Sequence, residues 1–342
     1  MSASGIAHRL WGGSPSARAA QLPLVPFAAL YWGVTKLRAR AYQWGWLGTE
    51  RLPLPAVAVG NLSVGGTGKT PLAAWIARHY EEGGHRPGIL LRGVGADEPL
   101  VHRLLVPEAV VVANPDRIAG AREARAGGAD VLILDDAFQL LSVARDLNVA
   151  VVSAESAEGS RWPLPAGPWR ERWDALDRAD LIVVTRKRAS AEAADALAQR
   201  LWERRPGAPV CTTCLALDRV EGMQSGTHHE PAVLAGRRVV AAAGIADPHS
   251  FAAQLERAGA SVQLLAYQDH HRYGDDDVER LVQAAAAADY VVVTEKDAVK
   301  LRGRWPVTAP EPLVVGLAVR WERNGRALEQ ALDALLAPAG RA

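Results

Sequence analysis

The chain has 342 residues, 49% hydrophobic and 23% charged, with a net charge of +1 at pH 7. That length can bury a large core and suits two domains, and the near-neutral balance excludes a global field drawing it to nucleic acid. Two cysteines, Cys211 and Cys214, exclude a disulfide framework and fit a reducing compartment.

In chain order, Leu22 to Val34 is apolar, broken by Pro23 and Pro26 and followed by Lys36, Arg38 and Arg40. It is too short to cross a bilayer, which takes about 20 apolar residues. Trp11, Trp32, Trp44 and Trp46 stand beside or within it. Aromatic rings next to cations suit a segment lying in the interface of an anionic membrane. A helix packed on the protein's own core is the alternative. A phosphate loop close downstream argues against a cleaved signal peptide.

That loop is VAVGNLSVGGTGKTP, Val57 to Pro71. An apolar run, a glycine turn and a helix start form an anion cradle, in which backbone N–H groups and the helix dipole point at phosphate. Gly65, Gly66, Thr67 and Gly68 form the loop, Lys69 reaches the outer phosphates, and the Thr70 hydroxyl holds Mg²⁺. Pro71 fits a helix's first turn, where a missing N–H costs nothing. Ser63 stands where the first glycine of the pattern belongs. An ordinary glycine-rich turn is the plainer reading.

Strands are expected at Ala56–Val59, Gly88–Leu91, Ala109–Val112, Val131–Leu134, Val149–Val152 and Leu181–Thr185, with helices at Thr70–Glu82 and Arg117–Ala126 among those between them. Continuous apolar strands separated by helices predict a parallel sheet covered on both faces. VLILDD ends a strand in Asp135 and Asp136, where a phosphate-loop enzyme holds Mg²⁺, although Asp at a strand end is also a common turn residue. The stiff loop WPLPAGPWRER brings Arg170, which can meet phosphate, and Glu171, which can assist a metal; a salt-bridged surface loop fits equally. The C-x-x-C pair lies in an apparent strand and reads as packing.

A polar stretch from Arg219 to Glu230 suggests a boundary. Beyond it come Val239–Ala243, a helix near Pro248–Ala258, Val262–Ala266, a helix at Asp277–Ala288, Tyr290–Thr294, Leu313–Val319 and a helix at Leu328–Leu336. His270 and His271 lie in a loop at a strand end and form a candidate acid/base site, against the plainer reading of solvated side chains. TEKDAVK, Thr294 to Lys300, reads as a charged turn opening a helix.

In order, GNLSVGGTGKTP, RGVGADEP, LDDAFQ with ARDL, LPAGPWRE, AGIADP, DHHRY and TEKDAVK resemble the blocks of the tetraacyldisaccharide 4′-kinase family, the lipid A 4′-kinases. That family's own phosphate loop shares the missing first glycine. The resemblance implies an α/β fold with a P-loop NTPase-type parallel sheet domain at 51–222, a smaller C-terminal α/β domain at 223–342 closing the active-site cleft, and a membrane-associating arm at 1–50. It implies transfer from ATP, with Mg²⁺, to the 4′-hydroxyl of a tetraacyl glucosamine disaccharide 1-phosphate at the cytoplasmic face of the inner membrane. An anionic membrane surface is the implied partner, and no nucleic acid. Lys69 and Thr70 then carry phosphates and metal, Asp97 is the base and His270 its partner. Asp135 and Asp136 lie near Mg²⁺ with Glu171, and Arg117 and Arg170 lie near the phosphates. Asp97 in the first domain and His270 in the second are expected to meet only on closure.

Three departures stand out: a short run from Arg92 to Asp97 with Val94 in place of tyrosine, Ala137 in place of glycine, and Leu140 where histidine is frequent. A P-loop kinase or nucleotidase for a soluble metabolite, and a non-catalytic membrane-bound nucleotide module, are the competing readings.

Overall fold

A computed structural model describes Trp11 and residues 15–93, 97–157 and 160–337. The departure at Val94 therefore lies outside the described residues. The chain opens with α1 (Pro15–Gln21), a 3₁₀ turn (Leu22–Leu24) and α2 (Val25–Gln43). One side of α2 docks on its own unit: Ala28 is fully buried, Lys36 Nζ pairs with Asp174 at 3.0 Å, and Arg172 lies over the Trp32 ring. Phe27, Leu30, Val34 and Leu37 remain 58–68% exposed and share one helical face. No described helix is long and apolar enough to cross a membrane.

The next elements are β1 (Ala56–Asn61), α3 (Lys69–Glu82), β2 (Pro87–Leu91), α4 (Asp97–Leu105), β3 (Val110–Ala113), α5 (Arg117–Ala126), β4 (Val131–Asp135), β5 (Leu147–Ser153), α6 (Ala154–Ala157), β6 (Leu181–Arg186) and α7 (Ala191–Arg204). There follow β7 (Val210–Gly222), β8 (His228–His229), β9 (Arg238–Ala243), α8 (Pro248–Arg257), β10 (Ser261–Ala266), α9 (Asp275–Ala287), β11 (Tyr290–Thr294), α10 (Glu295–Leu301), β12 (Leu313–Arg323) and α11 (Gly325–Leu336).

Two compact units result. One takes residues up to Val94, Leu105–Cys214 and Trp321 onward; the other takes Gly95–Leu104 and Leu215–Arg320. The change of unit therefore falls inside β7, not in the polar stretch after Arg219, and the segment around Asp97 is grouped with the later residues.

The first unit has the parallel order β7–β6–β5–β1–β4–β2–β3. Every residue of β1 and β4 is buried, as expected of strands covered on both faces. Leu72, Ile76 and Tyr80 recur on the inner face of α3, and the Tyr80 hydroxyl donates to the Leu332 carbonyl on α11 at 3.2 Å. The sequence direction reverses between β1 and β5, which places a crevice beyond their carboxyl ends.

The second unit runs β10–β9–β11–β12, all parallel, with the later half of β7 beside β12 and β8 antiparallel to β7. Its core joins Val240, Ala242, Leu281, Val293 and Leu301 on one sheet face, and Val239, Ala241, Leu255 and Val292 on the other. Cys211 and Cys214 both lie in β7 outside any disulfide; burial pushes the Cys211 thiol up to about 12, and its Sγ donates to the Asn324 carbonyl at 3.1 Å. The strand-packing expectation for this pair is met.

Candidate active site

In a parallel sheet the loops after successive strands leave from one edge. In the first unit these are the loops after β1, β4, β5 and β6. After β1, Gly65 (φ 120°) and Gly68 (φ 89°) take left-handed backbone, which a side chain would strain, and α3 begins directly at Lys69. Asn61 Nδ2 donates to the Ser63 carbonyl at 2.6 Å and to Thr67 Oγ1 at 2.8 Å, fixing the turn from within. Two side chains from the end of β6 hold it from outside: Thr185 Oγ1 donates to the Thr67 carbonyl and Lys187 Nζ to the Gly66 carbonyl, both at 2.7 Å.

The 187–189 turn is itself built on Glu155. Its Oε1 accepts from the N–H groups of Lys187 (2.6 Å), Arg188 (2.8 Å) and Ala189 (3.1 Å), and its Oε2 from Ser153 Oγ at 2.7 Å. Burial pushes this carboxyl up, but those hydrogen bonds outweigh it and bring it down to about 2.

Asp135 lies in register with Val59 of β1 and is 4% exposed. Asp136 follows in left-handed backbone (φ 53°), an arrangement that costs a non-glycine residue about 1–2 kcal/mol. Arg170 Nη1 contacts both its oxygens at 2.9 Å, and Lys69 Nζ lies 3.5 Å from Oδ1. Gly60 admits the following chain closely: a Cβ there would sit 2.5 Å from the Phe138 amide nitrogen. Ala137 donates to the Val59 carbonyl at 3.1 Å, and Leu140 packs half-buried.

The proline loop flanks the cradle, Arg170 N donating to the Leu62 carbonyl at 2.7 Å and Val64 N to the Pro168 carbonyl at 2.8 Å. Glu171 accepts from Arg178 (2.7 Å) and Gln139 (3.1 Å), so this loop has both the salt bridges of a structural loop and a place beside the cradle. Arg117 opens α5, and its Nη1 donates to the Asn114 carbonyl at 2.8 Å, tying it to the end of β3. A pocket of about 270 Å³ is lined by Trp32, Lys36 and Arg40 of α2 and by Glu171, Arg172 and Asp177.

The second unit gathers another set. Asp97, at the start of α4, lies with its carboxylate 3.0 and 3.1 Å from His270 Nδ1. The two residues belong to one unit, so the expectation that they meet only on closure is corrected. His271 turns to Asp277 at 2.9 Å, so the partner of Asp97 is His270. His270 itself has left-handed backbone (φ 58°), the kind of local strain that gathers at functional sites. Burial pushes the Asp97 carboxyl up, but the imidazole and the Lys300 ammonium hold it below its usual range.

Supporting residues here were not singled out from the sequence. Asp297, fully buried, accepts from Gly244 N at 3.1 Å on both oxygens and from Thr294 Oγ1 at 2.6 Å. The Gly244 carbonyl in turn accepts from His270 N at 3.2 Å. A signal was present in TEKDAVK: Thr and Asp three apart at a helix start form a cap, and Asp297 and Lys300 share a helix face.

A family model described as tetraacyldisaccharide-1-P 4′-kinase matches residues 20–337. The chain is 38% identical over 307 residues to a tetraacyldisaccharide 4′-kinase of Pelobacter propionicus, covering 82% of this chain and 83% of that protein. It is 37% identical over 355 residues to one from an Anaeromyxobacter species, covering 95% and 93%. A crystal structure of "apo" form LpxK from Aquifex aeolicus in complex with ATP aligns at a TM-score of 0.72 and 26% identity, over 92% of this chain and 99% of that one.

Proposed function

The chain belongs to the tetraacyldisaccharide-1-P 4′-kinase family, and from that premise we propose that it transfers the γ-phosphoryl group of ATP to the 4′-hydroxyl of a tetraacyldisaccharide 1-phosphate in lipid A synthesis. The observation that carries transfer, over nucleotide binding alone, is the Asp97–His270 pair. A sugar hydroxyl is a weak nucleophile, and general-base assistance is worth about 10²–10⁴-fold. A module that only binds nucleotide has no use for such a pair.

The backbone N–H groups of Gly65–Gly68 and the N-terminus of α3 bind the phosphates, and Lys69 neutralises charge on the outer ones. Asp136 acts by orienting Lys69 and Arg170, which it already contacts. Arg117 remains a candidate for the nucleotide end of the cradle. The oxygen donors fit Mg²⁺, which takes one or two carboxylates and completes its shell with phosphate and water. Asp135, nearly buried beside β1, and Thr70 are the first choices, and Asp136 and Glu171 are the further carboxylates of the adjoining loops. Held by these side chains, Mg²⁺ would offset the charge of the phosphates.

The apolar stripe of α2 and its cations Arg38 and Arg40 support peripheral attachment to an anionic membrane, at the cytoplasmic face of the inner membrane where ATP is available. The test is to incubate purified protein with γ-labelled ATP, Mg²⁺ and tetraacyldisaccharide 1-phosphate in mixed micelles. Label is expected in the lipid. Label released only as inorganic phosphate, or passed equally to a soluble disaccharide, overturns the reading.

A further inference from the structure

The phosphate loop is gripped by side chains to which the transfer chemistry gives no part. β6 is apolar and buried from Leu181 to Val184, and its next residue is Thr185, only 1% exposed. A buried hydroxyl needs a partner, and the Thr67 carbonyl supplies it at 2.7 Å. Two residues on, Lys187 Nζ meets the Gly66 carbonyl, also at 2.7 Å. Two successive carbonyls of the loop are thus held from one short stretch of chain. That stretch is fixed in its own right, because Glu155 Oε1 takes the N–H groups of Lys187, Arg188 and Ala189. The grip therefore reaches from the end of β5, through Glu155 and the 187–189 turn, to the loop after β1.

Peptide geometry turns a grip on carbonyls into an aim for N–H groups. In a trans peptide the C=O and N–H of one unit point in opposite directions. The Gly66 carbonyl shares its peptide with Thr67 N–H, which donates to the Gly65 carbonyl at 3.0 Å and closes the tight turn. The Thr67 carbonyl shares its peptide with Gly68 N–H, which donates to no backbone carbonyl among the described residues. Gly68 is the left-handed residue (φ 89°) directly before α3, so this donor stands at the helix N-terminus, where anions bind. Holding the Thr67 carbonyl toward β6 turns the donor the other way. Glycine on both sides of Thr67 permits the path of the loop but leaves the tilt of this peptide soft. An outside anchor selects one tilt.

We propose that Thr185 and Lys187 are positioning residues for nucleotide binding. By gripping the Thr67 and Gly66 carbonyls they keep Gly68 N–H aimed at the phosphates of ATP, and so set ATP affinity and not the rate of transfer. The inference rests on the reading of this loop as the ATP site of a kinase. A donor aimed before ATP arrives needs no reordering when it binds, and preorganisation of this kind appears in affinity. It serves the bound substrate and the transition state alike, so its loss raises KM for ATP and leaves kcat in place.

The test uses the full chain with Thr185→Val, which keeps the shape of the side chain and removes the hydroxyl, and Thr185→Ser, which keeps the hydroxyl. ATP binding is measured by titration calorimetry with Mg²⁺ and no lipid, beside steady-state transfer to tetraacyldisaccharide 1-phosphate. Thr185→Val is expected to weaken ATP about tenfold, the low end for one hydrogen bond to a charged group, with a matching rise in KM for ATP. Its kcat and its KM for the lipid are expected to stay within about twofold of wild type. Thr185→Ser restores wild-type affinity. Lys187 is half-buried, so Lys187→Met is expected to weaken ATP less, about threefold. If circular dichroism shows Thr185→Val misfolded, Lys187→Met carries the same test. A lower melting temperature with unchanged ATP affinity in a folded variant, or a loss confined to kcat, overturns the proposal. Weakened ATP binding in Thr185→Val, with no transfer to lipid by wild type, overturns the kinase reading and leaves the positioning role standing.

Discussion

The parallel strands of the two units use their carboxyl edges in different ways. At the edge of the first, the binding groups are mostly backbone N–H, shaped by Gly65 and Gly68 and braced by Asn61, Thr185 and Lys187. At the edge of the second they are side chains: the Asp97 carboxylate lies between the His270 imidazole and the Lys300 ammonium, and Lys300 also lies near the buried Asp297. A backbone cradle keeps its shape when a side chain is trimmed. A charge relay does not, because every removed partner leaves another charge desolvated and unpaired.

The relay is expected to show the larger losses. Asp97→Ala or His270→Ala lowers kcat by about 10²–10⁴-fold, with ATP affinity nearly unchanged. The double variant is little worse than the worse single one, since residues acting as a unit are strongly non-additive. Independent, multiplicative losses in steady-state assays break the comparison at this point. His271→Ala, whose partner is Asp277, loses much less.

Lys69→Ala comes next, at about 10²–10³-fold in kcat, the scale for one charge-stabilising donor. Its circular dichroism and melting curve stay those of wild type, because the glycines set the loop. Full transfer by a folded Lys69→Ala protein contradicts the cradle assignment. Gly244→Ala sharpens the contrast from the other side. Its Cβ would sit 2.9 Å from Asp297 Oδ1 and 3.1 Å from the His271 Cβ, so the relay's anchor must shift. A loss of about tenfold in kcat is expected from such a displacement, without change in ATP binding.

Glu155→Gln gives the smallest effect on rate and shows up in stability. The folded carboxyl sits near 2, below its ordinary 4.5. The group therefore stabilises the fold fully above about pH 4.5 and loses that contribution as pH falls toward 2. The variant is expected to be less stable by about 1–3 kcal/mol at pH 7, allowing for partial exposure. The gap in denaturant midpoint narrows between pH 4.5 and 3; a gap that stays constant counts against the Glu155 nest.

The cradle was legible because anion binding by backbone needs its glycines, lysine and threonine within one short stretch. The alternation of apolar strands and helices gave most elements to within a few residues, α5 and β11 with the same bounds. The Asp97–His270 pair was visible only through the family resemblance, since the residues are 173 positions apart and neither stretch names its partner. Its placement in a single unit was not legible, because compactness follows from packing and not from chain order. The Glu155 nest left no trace in the sequence, because its partners are amide N–H groups, which every residue but proline carries.

The out-of-order composition of the units also bears on synthesis. Asp97 is made 173 residues before His270, roughly 10–35 s earlier at about 5–20 residues per second. The first unit waits longer still, since the His79–Asp333 contact spans 254 positions and the Tyr80 hydroxyl needs the Leu332 carbonyl of α11. A nascent chain thus carries a phosphate loop before its packing is complete and the carboxylate of the Asp97–His270 pair before its imidazole exists. Translation stopped short of α11 yields a protein with the motif for binding nucleotide and an unfinished core beneath it, a product marked by its own instability for proteolysis.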